Sequence, residues 1–284
     1  MHLILTGATG LVGGAVLSHI LSLPPSTSLK RLSILSRSPV VPLLASPPPA
    51  SMPARTNTTT QIEVIHHTDF MSYPPELLER LRGAHGIIWA LGVSQNTVDP
   101  STYVRVTKDY TLAAAKAFSS LNSSGDDGPK GIFNFVYVSG EGATLKPGRL
   151  TPLFGRVKGE TEAALLALST TSSVSPSSSS PPSSSPYSQL RVYSVRPAAV
   201  DGSMQPWIWE RNQQRLSRFL RAASFVLMPM ARALYPSIQS PTPQLGQVLT
   251  ELAMGDGAPL NGEGIEGEGR TIRNSALRRL GGLS

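Results

Sequence analysis

The chain has 284 residues, a length typical of one doubly wound α/β unit, so we expect a single domain over residues 1–284. It contains no cysteine, which excludes disulfide bonds, thiolate metal sites and a cysteine nucleophile. Its net charge of +7 suits an anionic ligand, but lysines and arginines are scattered rather than clustered with aromatic residues, so we expect no nucleic-acid binding. No apolar run is long enough to predict a transmembrane segment.

The N-terminal segment predicts a strand, a glycine-rich turn and a helix. The turn has the sequence TGATGLVGG and lies between an apolar run and apolar residues that recur at helical spacing. The first glycine of such a turn permits the tight bend, the second lets the backbone approach a pyrophosphate, and the third lets the helix pack closely on the strand. The free N–H groups at the start of the helix can bind the phosphates. We therefore predict a dinucleotide site at Gly7, Thr9, Gly10, Leu11, Val12 and Gly13; an ordinary glycine-rich turn is the alternative.

Strand-like and helix-like segments alternate along the chain, which predicts a Rossmann-type, doubly wound parallel sheet with helices on both faces. The predicted strands are Leu3–Thr6, Arg31–Ser36, Ile62–His66, Gly86–Ala90, Ile132–Ser139 and Arg191–Arg196. The predicted helices are Leu11–Leu21, Pro75–Leu81, Pro100–Phe118 and Leu153–Leu168.

Three segments differ in composition from this alternating core. Pro39–Thr60 is rich in proline, alanine and threonine and predicts a long loop (39–60). Ser169–Ser188 is almost wholly serine, threonine and proline, so we expect a disordered insertion at 169–188. We interpret residues 201–284 as a small C-terminal, substrate-facing elaboration. An amphipathic helix at Arg215–Arg232 that lies on a membrane surface is the competing interpretation.

The region after the second predicted strand bears on the choice of cofactor. A fold that prefers NAD usually presents an acidic residue to the ribose 2′-hydroxyl there, but this chain has no acidic residue before Glu63. Arg37, between Ser36 and Ser38, would instead bind a 2′-phosphate, which predicts NADP (NADPH). A solvated arginine in a loop is the alternative. Asp69 is placed to accept a hydrogen bond from the adenine amino group, or else to cap a helix.

Beyond the glycine turn, several short motifs follow one another as in a known family. They are Asp69-Phe70, Ala90-Leu91-Gly92, Val138-Ser139, Lys158-Gly159-Glu160 and Arg196-Pro197. Their order resembles the atypical short-chain dehydrogenases/reductases, and within them the Tat-interacting-protein-like NAD(P)-binding oxidoreductases and their fungal relatives. The segments Tyr103–Tyr110 and Ile272–Leu277 are similar to that subgroup as well. The resemblance implies further cofactor-binding residues, namely Asp69, Phe70, Ala90, Leu91, Gly92, Lys158, Pro197 and Val200.

The resemblance also implies three catalytic parts. A serine at the end of the fifth strand orients a substrate carbonyl, a tyrosine donates the proton, and a lysine four residues later binds the nicotinamide ribose and lowers the tyrosine pKa. Ser139 and Lys158 match the first and third parts. The tyrosine position holds Phe154, which has no exchangeable proton, so the usual general acid is absent. We expect its ring to pack against the substrate or the nicotinamide.

Three other residues could supply the proton. Glu141 follows Ser139 in a turn at the C-terminal end of a strand, where ligands bind in open α/β sheets, and we select it as a candidate acid or base. Tyr137 shares a strand face with Ser139, and Tyr103 lies on the helix after the fourth strand. A structural or solvated role is the alternative for each. The five histidines lack metal-ligand spacing, so we expect no metal site.

These observations favour an NADPH-dependent oxidoreductase that acts on a small carbonyl-containing organic substrate in secondary metabolism. An epimerase-like or isomerase-like enzyme with transient cofactor use is one alternative. A non-catalytic NADPH-sensing binding protein, marked by Phe154, is another. We expect a cytoplasmic location, with peripheral association with mitochondrial or other membranes as the alternative, and the sequence has no signal for an oligomeric state.

Overall fold

Short apolar runs of the sequence form the strands of the sheet, and the amphipathic segments between them form helices. The computed structural model describes residues 1–45, 51–121, 131–170, 187, 189–213 and 236–283. Most of the predicted insertion Ser169–Ser188 and all of the predicted membrane-surface helix Arg215–Arg232 lie outside these residues. None of the described helices is both long enough and apolar enough to cross a membrane.

The strands within the described residues are β1 (His2–Thr6), β2 (Arg31–Ser36), β3 (Gln61–His66), β4 (Gly86–Trp89), β5 (Phe133–Val138), β6 (Leu190–Val195), β7 (Ala199–Asp201), β8 (Gln239–Pro241), β9 (Ile265–Glu266) and β10 (Thr271–Ile272). The α-helices are α1 (Leu11–Ser22), α2 (Pro75–Leu81), α3 (Pro100–Val104), α4 (Tyr110–Phe118), α5 (Leu153–Thr170), α6 (Pro206–Gln213), α7 (Thr242–Met254) and α8 (Asn274–Leu280). The six predicted strands and four predicted helices are all present, with bounds that differ by at most two residues.

The central sheet has eight strands in the order β3-β2-β1-β4-β5-β6-β10-β9. All neighbouring pairs are parallel except the antiparallel pair of β9 and β10. Strands β7 and β8 form a separate parallel pair. The strand order reverses between β1 and β4, which is the switch point where ligands bind in open α/β sheets. The predicted Rossmann-type doubly wound fold is confirmed.

The central parallel strands β1 and β4 are buried on both faces, which explains why they are continuous apolar runs. Alternate residues of each strand enter two separate hydrophobic cores. Leu3 and Leu5 of β1 pack into the core that includes α1 and α7, whereas Ile4 packs into the opposite core with α2, α4 and α5. Burial on both faces therefore fixes the register of the central strands.

Helix α7 lies in the part of the chain that the sequence assigns to substrate contact, yet it completes one of the cores. Leu245, Val248 and Leu249 are buried within it. Its Gly246 lies so close to α1 that an added Cβ would stand 2.5 Å from the Ala15 carbonyl oxygen. Part of residues 201–284 thus has a packing role, and substrate contact by the rest stays a prediction.

The predicted loop 39–60 includes a one-turn 3₁₀ helix at Pro42–Leu44 and returns to pack against α1. Asn57 is only 1% exposed, and its Nδ2 donates hydrogen bonds to the Ile20 carbonyl oxygen and to Thr60 Oγ1, both at 2.8 Å. The end of the loop therefore satisfies a carbonyl near the C-terminus of α1.

The predicted helix Pro100–Phe118 is one continuous rod in which a π-helical turn, Arg105–Asp109, separates α3 from α4. Its N-cap is Asp99, whose carboxylate accepts a hydrogen bond from the Thr102 backbone N–H at 2.9 Å. Within the turn, the Thr107 carbonyl oxygen accepts a hydrogen bond from Thr111 Oγ1 at 2.7 Å. Because π turns occur frequently at functional sites, this irregularity indicates that Thr107 lies near such a site.

The packing of α7 on α1 leads to a stability prediction. Replacement of Gly246 by alanine adds helix propensity worth up to about 1 kcal/mol. The added methyl group would, however, overlap the Ala15 backbone, and overpacking costs about 1–3 kcal/mol. We expect Gly246→Ala to lower the free energy of unfolding in a denaturant titration. Gly148→Ala is the control, because no atom lies within 4 Å of an added Cβ there. Equal stability of the two variants would contradict this packing.

Candidate active site and cofactor cradle

The glycine turn at the end of β1 brings the backbone of the first strand against the end of β4. Gly7 has φ +70°, and an added Cβ there would lie 2.2 Å from the Ala90 carbonyl oxygen. An added Cβ at Gly13 would lie 2.2 Å from the Gly7 carbonyl oxygen. At both positions any larger residue would displace the backbone. The structure thus supports the roles that the sequence assigns to these two glycines.

Helix α1 begins at Leu11 without a side-chain cap on Gly10. The first N–H groups of a helix have no intrahelical acceptor, and such groups bind phosphate. At Gly10 itself, an added Cβ would meet only the Gly7 carbonyl oxygen within 4 Å, at 3.3 Å, so the outer side of the turn is open. A side chain at Gly10 would occupy this open space. The space, together with the uncapped start of α1, fits the pyrophosphate of a dinucleotide.

The ends of β2 and β3 hold the residues predicted to contact the adenosine half. Arg37 is exposed immediately after β2, and its carbonyl oxygen hydrogen-bonds His66 Nε2 at 3.1 Å. The carboxylate of Asp69 accepts a hydrogen bond from the Met71 N–H at 3.0 Å, and the N-cap of α2 is Pro74. Asp69 therefore closes its own turn and does not cap the helix, which excludes the capping alternative.

Phe70 differs from the other predicted cofactor residues because its side chain is in the core. It is buried between Trp89 and Tyr110, with ring centroids 5.9 Å and 6.0 Å away. Contact between this side chain and a cofactor is therefore not supported by the geometry, and a backbone contact stays a prediction.

A cavity of about 410 Å³ opens at the C-terminal ends of β4, β5 and β6, next to the glycine turn. It brings together nine predicted site residues, namely Val12, Ala90, Leu91, Gly92, Ser139, Glu141, Lys158, Pro197 and Val200. Phe154, Tyr137 and Thr107 also line it, so the π turn contributes to its wall. Tyr103 is buried elsewhere and is not among its lining residues.

Lys158 is held in the cavity wall by the end of β5. Its Nζ donates a hydrogen bond to the Ser139 carbonyl oxygen at 2.5 Å. Burial lowers the pKa of Lys158 to about 8, although the nearby Glu162 carboxylate acts in the opposite direction. One helical turn earlier, the backbone N–H of Phe154 donates to Gln95 Oε1 at 2.9 Å, which fixes the start of α5 against the loop after β4.

Ser139 is 2% exposed, and its hydroxyl donates a hydrogen bond to Glu162 on α5. Glu162 is itself 4% exposed and forms a two-point ion pair with Arg196, with Nε to Oε1 at 3.0 Å and Nη2 to Oε2 at 2.5 Å. Arg196 also pairs with Glu266 of β9 at 3.1 Å. Glu162 is not among the site residues predicted from the sequence, although its position four residues after Lys158 places it on the same helix face.

Glu141, the predicted acid or base, connects two parts of the chain. One carboxylate oxygen accepts a hydrogen bond from Arg273 Nη2 at 2.7 Å, and the other accepts one from the Asn274 N–H at 3.2 Å. These contacts join the loop after β5 to the start of α8. The carboxylate lines the cavity but is already occupied, so its acid or base role stays a prediction.

The pKa values of the two candidate tyrosines are both raised in this structure. Burial raises the pKa of Tyr137, and the negative charge of Glu162 adds to the shift. Burial also raises the pKa of Tyr103. Among the described residues, no three histidine, aspartate or glutamate side chains form a group that could hold a metal ion.

No protein-family model matches the chain. It is 30% identical over 286 residues to leucinostatins biosynthesis cluster protein T of Purpureocillium lilacinum, a match that covers 98% of this chain and 94% of the relative. It is 39% identical over 180 residues to botcinic acid biosynthesis cluster B protein 16 of Botryotinia fuckeliana (strain B05.10), which covers 61% of this chain and 99% of that protein.

The fold is similar to that of a short-chain type dehydrogenase/reductase from Mycobacterium ulcerans, with a TM-score of 0.58. That match has 16% sequence identity and covers 97% of this chain and 89% of the other, so it establishes the fold alone. The chain therefore belongs to the same family as leucinostatins biosynthesis cluster protein T, and its fold is that of the short-chain dehydrogenases/reductases, which its sequence resembles.

Proposed function

We propose that the protein is an NADPH-dependent oxidoreductase that acts on a small carbonyl-containing organic substrate in secondary metabolism. The observation that carries the proposal is the adjacency of the glycine turn to a cavity that holds Ser139 and Lys158 at the switch point of the sheet. The relatives from two fungal biosynthesis clusters support the metabolic setting.

Each part of the cofactor has a proposed binding group in this chain. The N-terminus of α1 would bind the pyrophosphate, Arg37 the 2′-phosphate, and Lys158 the nicotinamide ribose. When bound, the reduced nicotinamide supplies a hydride. The role of the cavity residues is then to hold the carbonyl and manage the proton.

The proposed 2′-phosphate contact can be tested by cofactor titration. We expect the parent protein to bind NADPH more tightly than NADH, because a charge-assisted hydrogen bond contributes about 1.5–3 kcal/mol. Arg37→Ala should therefore weaken NADPH binding about 10-fold to 100-fold, with little change for NADH, as measured by fluorescence.

Arg82→Ala is the matched control for this titration, because Arg82 is an exposed arginine that pairs with Glu79 at the end of α2. Equal affinity of the parent protein for the two cofactors would contradict NADPH preference. A loss of NADH affinity in Arg37→Ala as large as the loss of NADPH affinity would contradict the role of Arg37.

A non-catalytic NADPH-binding protein is the second candidate, and Phe154 is the observation that favours it. The Phe154 ring lines the cavity at the position where the resemblance to short-chain dehydrogenases/reductases predicts a tyrosine. An added Cβ on Gly142 would lie 3.3 Å from the ring, so the ring is packed against the backbone of the loop after β5. A benzyl side chain cannot donate a proton, so catalysis in this protein requires another donor.

Oxidation of NADPH in the presence of a substrate distinguishes the reductase from the non-catalytic binding protein. If the protein is a reductase, it should oxidise NADPH in the presence of a ketone or aldehyde from a broad panel. Ser139→Ala should then lower kcat about 100-fold or more, the magnitude typical of acid–base groups. Phe154→Tyr should raise kcat or change its pH profile. Glu160→Gln is the control, because Glu160 is an exposed residue of α5 that pairs with Lys108. NADPH binding without oxidation by any panel member, in the parent and in Phe154→Tyr, would favour the binding protein.

A further inference from the structure

The Ser139 hydroxyl has one hydrogen, and the structure shows where it goes. Its donor–acceptor contact is with the Glu162 carboxylate. Glu162 is held at two points by Arg196, so it is the ionised form, which accepts hydrogen bonds and cannot donate them. The hydrogen between the two groups must therefore be the serine proton. Lys158 Nζ donates its hydrogen bond to the Ser139 carbonyl oxygen and not to the hydroxyl.

With its hydrogen directed at Glu162, Ser139 Oγ has only lone pairs left for a ligand in the cavity. A carbonyl oxygen has no hydrogen to donate to them. For Ser139 to donate to a carbonyl, it would have to break its bond to a carboxylate that is 4% exposed, and a lost hydrogen bond to a buried charged group is costly. A hydroxyl group, in contrast, can donate to Ser139 Oγ with the existing bonds intact.

We propose that Ser139 meets the substrate as a hydrogen-bond acceptor, that the substrate bound in this state is an alcohol, and that Glu162 is the positioning residue that receives its proton through Ser139. This inference rests on the proposed oxidoreductase function and adds to it a substrate class and a proton path that needs no tyrosine.

The step balances without any further reactant. When bound, the oxidised nicotinamide would accept the hydride of the alcohol C–H bond. The alcohol O–H bond breaks, its proton passes to Ser139 Oγ, and the serine proton passes to a Glu162 oxygen. The substrate is oxidised from an alcohol to a carbonyl compound. The same path in reverse protonates the oxygen during carbonyl reduction.

Glu162 is surrounded by titratable and charged groups from three parts of the chain. The titratable and charged groups that act on it are Lys158 on its own helix, Tyr137 on β5 and Arg196 after β6. When Glu162 becomes neutral, Arg196 keeps a carboxylate partner in Glu266, at 3.1 Å. The arginine is thus not left as an unpaired buried charge, which would be strongly destabilising.

The kinetic test uses NADP⁺ reduction with 1-phenylethanol, cyclohexanol and related secondary alcohols, and NADPH oxidation with the matching ketones. We expect Ser139→Ala and Glu162→Gln each to lower kcat about 100-fold or more, with KM and cofactor affinity within about 3-fold of the parent. For alcohol oxidation, kcat of the parent protein should fall at low pH. This fall should be absent in Glu162→Gln and present in Glu160→Gln. Glu162→Asp, which keeps a carboxylate, should recover part of the rate.

A Glu162→Gln variant with parental kcat and pH profile would overturn the proposal, as would a parent protein that reduces the ketones but oxidises none of the alcohols.

A second measurement needs no turnover. In protein labelled with ¹³C at the glutamate Cδ, the Glu162 resonance is identified by its loss in Glu162→Gln or, if that variant does not fold, in Glu162→Asp. Ser139→Ala leaves the ion pair with Arg196 in place, so this variant tests the hydrogen bond alone. We expect it to move the Glu162 resonance, and we expect Glu160→Gln not to. A Glu162 resonance unmoved by Ser139→Ala would overturn the proposal even if the protein binds NADPH. Absence of NADPH binding by the parent protein would instead overturn the proposed function.

Discussion

The backbone contact between the β1–α1 turn and the end of β4 is the constraint on which the rest of the site depends. Thr6 Oγ1 accepts a hydrogen bond from the Ala90 N–H at 3.1 Å, and Gly7 lies directly against the Ala90 carbonyl group. These contacts close the gap between the two strands at the switch point. They place the start of α1 beside the cavity, so a ligand bound to the helix terminus also reaches the ends of the neighbouring strands.

Ion pairs between elements that are distant in sequence stabilise the opposite wall of the cavity. Glu162 of α5 binds Arg196 after β6, Arg196 binds Glu266 of β9, and Glu141 binds Arg273 before α8. Elements distant in sequence thus meet around the end of β5. Desolvation of the buried Glu162–Arg196 pair offsets much of its attraction, and the pair leaves few orientations open to Ser139 and Arg196.

Much of the fold could be predicted because local signals and tertiary structure agree. Burial on both faces produces continuous apolar strands. The glycine pattern that begins at Gly7, which has a positive φ, is typical of a turn between a strand and a phosphate-binding helix. Helix α7 has an apolar face, but the aromatic and basic residues that precede it in the sequence favour a substrate-facing role for this region. Strands β9 and β10 have two residues each, too short to produce any periodicity.

The candidate site was predictable only in part, for a different reason. Lys158 and Ser139 stand at positions that motif order identifies, and both line the cavity. The importance of Glu162 depends on a contact with Arg196, 34 residues away in sequence, which spacing on one helix cannot reveal. Similarly, Phe70 follows a motif residue, yet its side chain direction is decided by the packing of Trp89 and Tyr110.

The π turn at Arg105–Asp109 limits how this protein can vary in length. A π turn contains one residue more than a regular turn, and in an α-helix each residue advances the side-chain direction by about 100°. Loss of a single residue there would convert the rod to a regular helix and rotate α4 relative to α3. Phe118 and Ala114 would then leave the core while Tyr103 stayed in it. Insertions and deletions should therefore accumulate in the loops on either side of this rod and be absent from its middle.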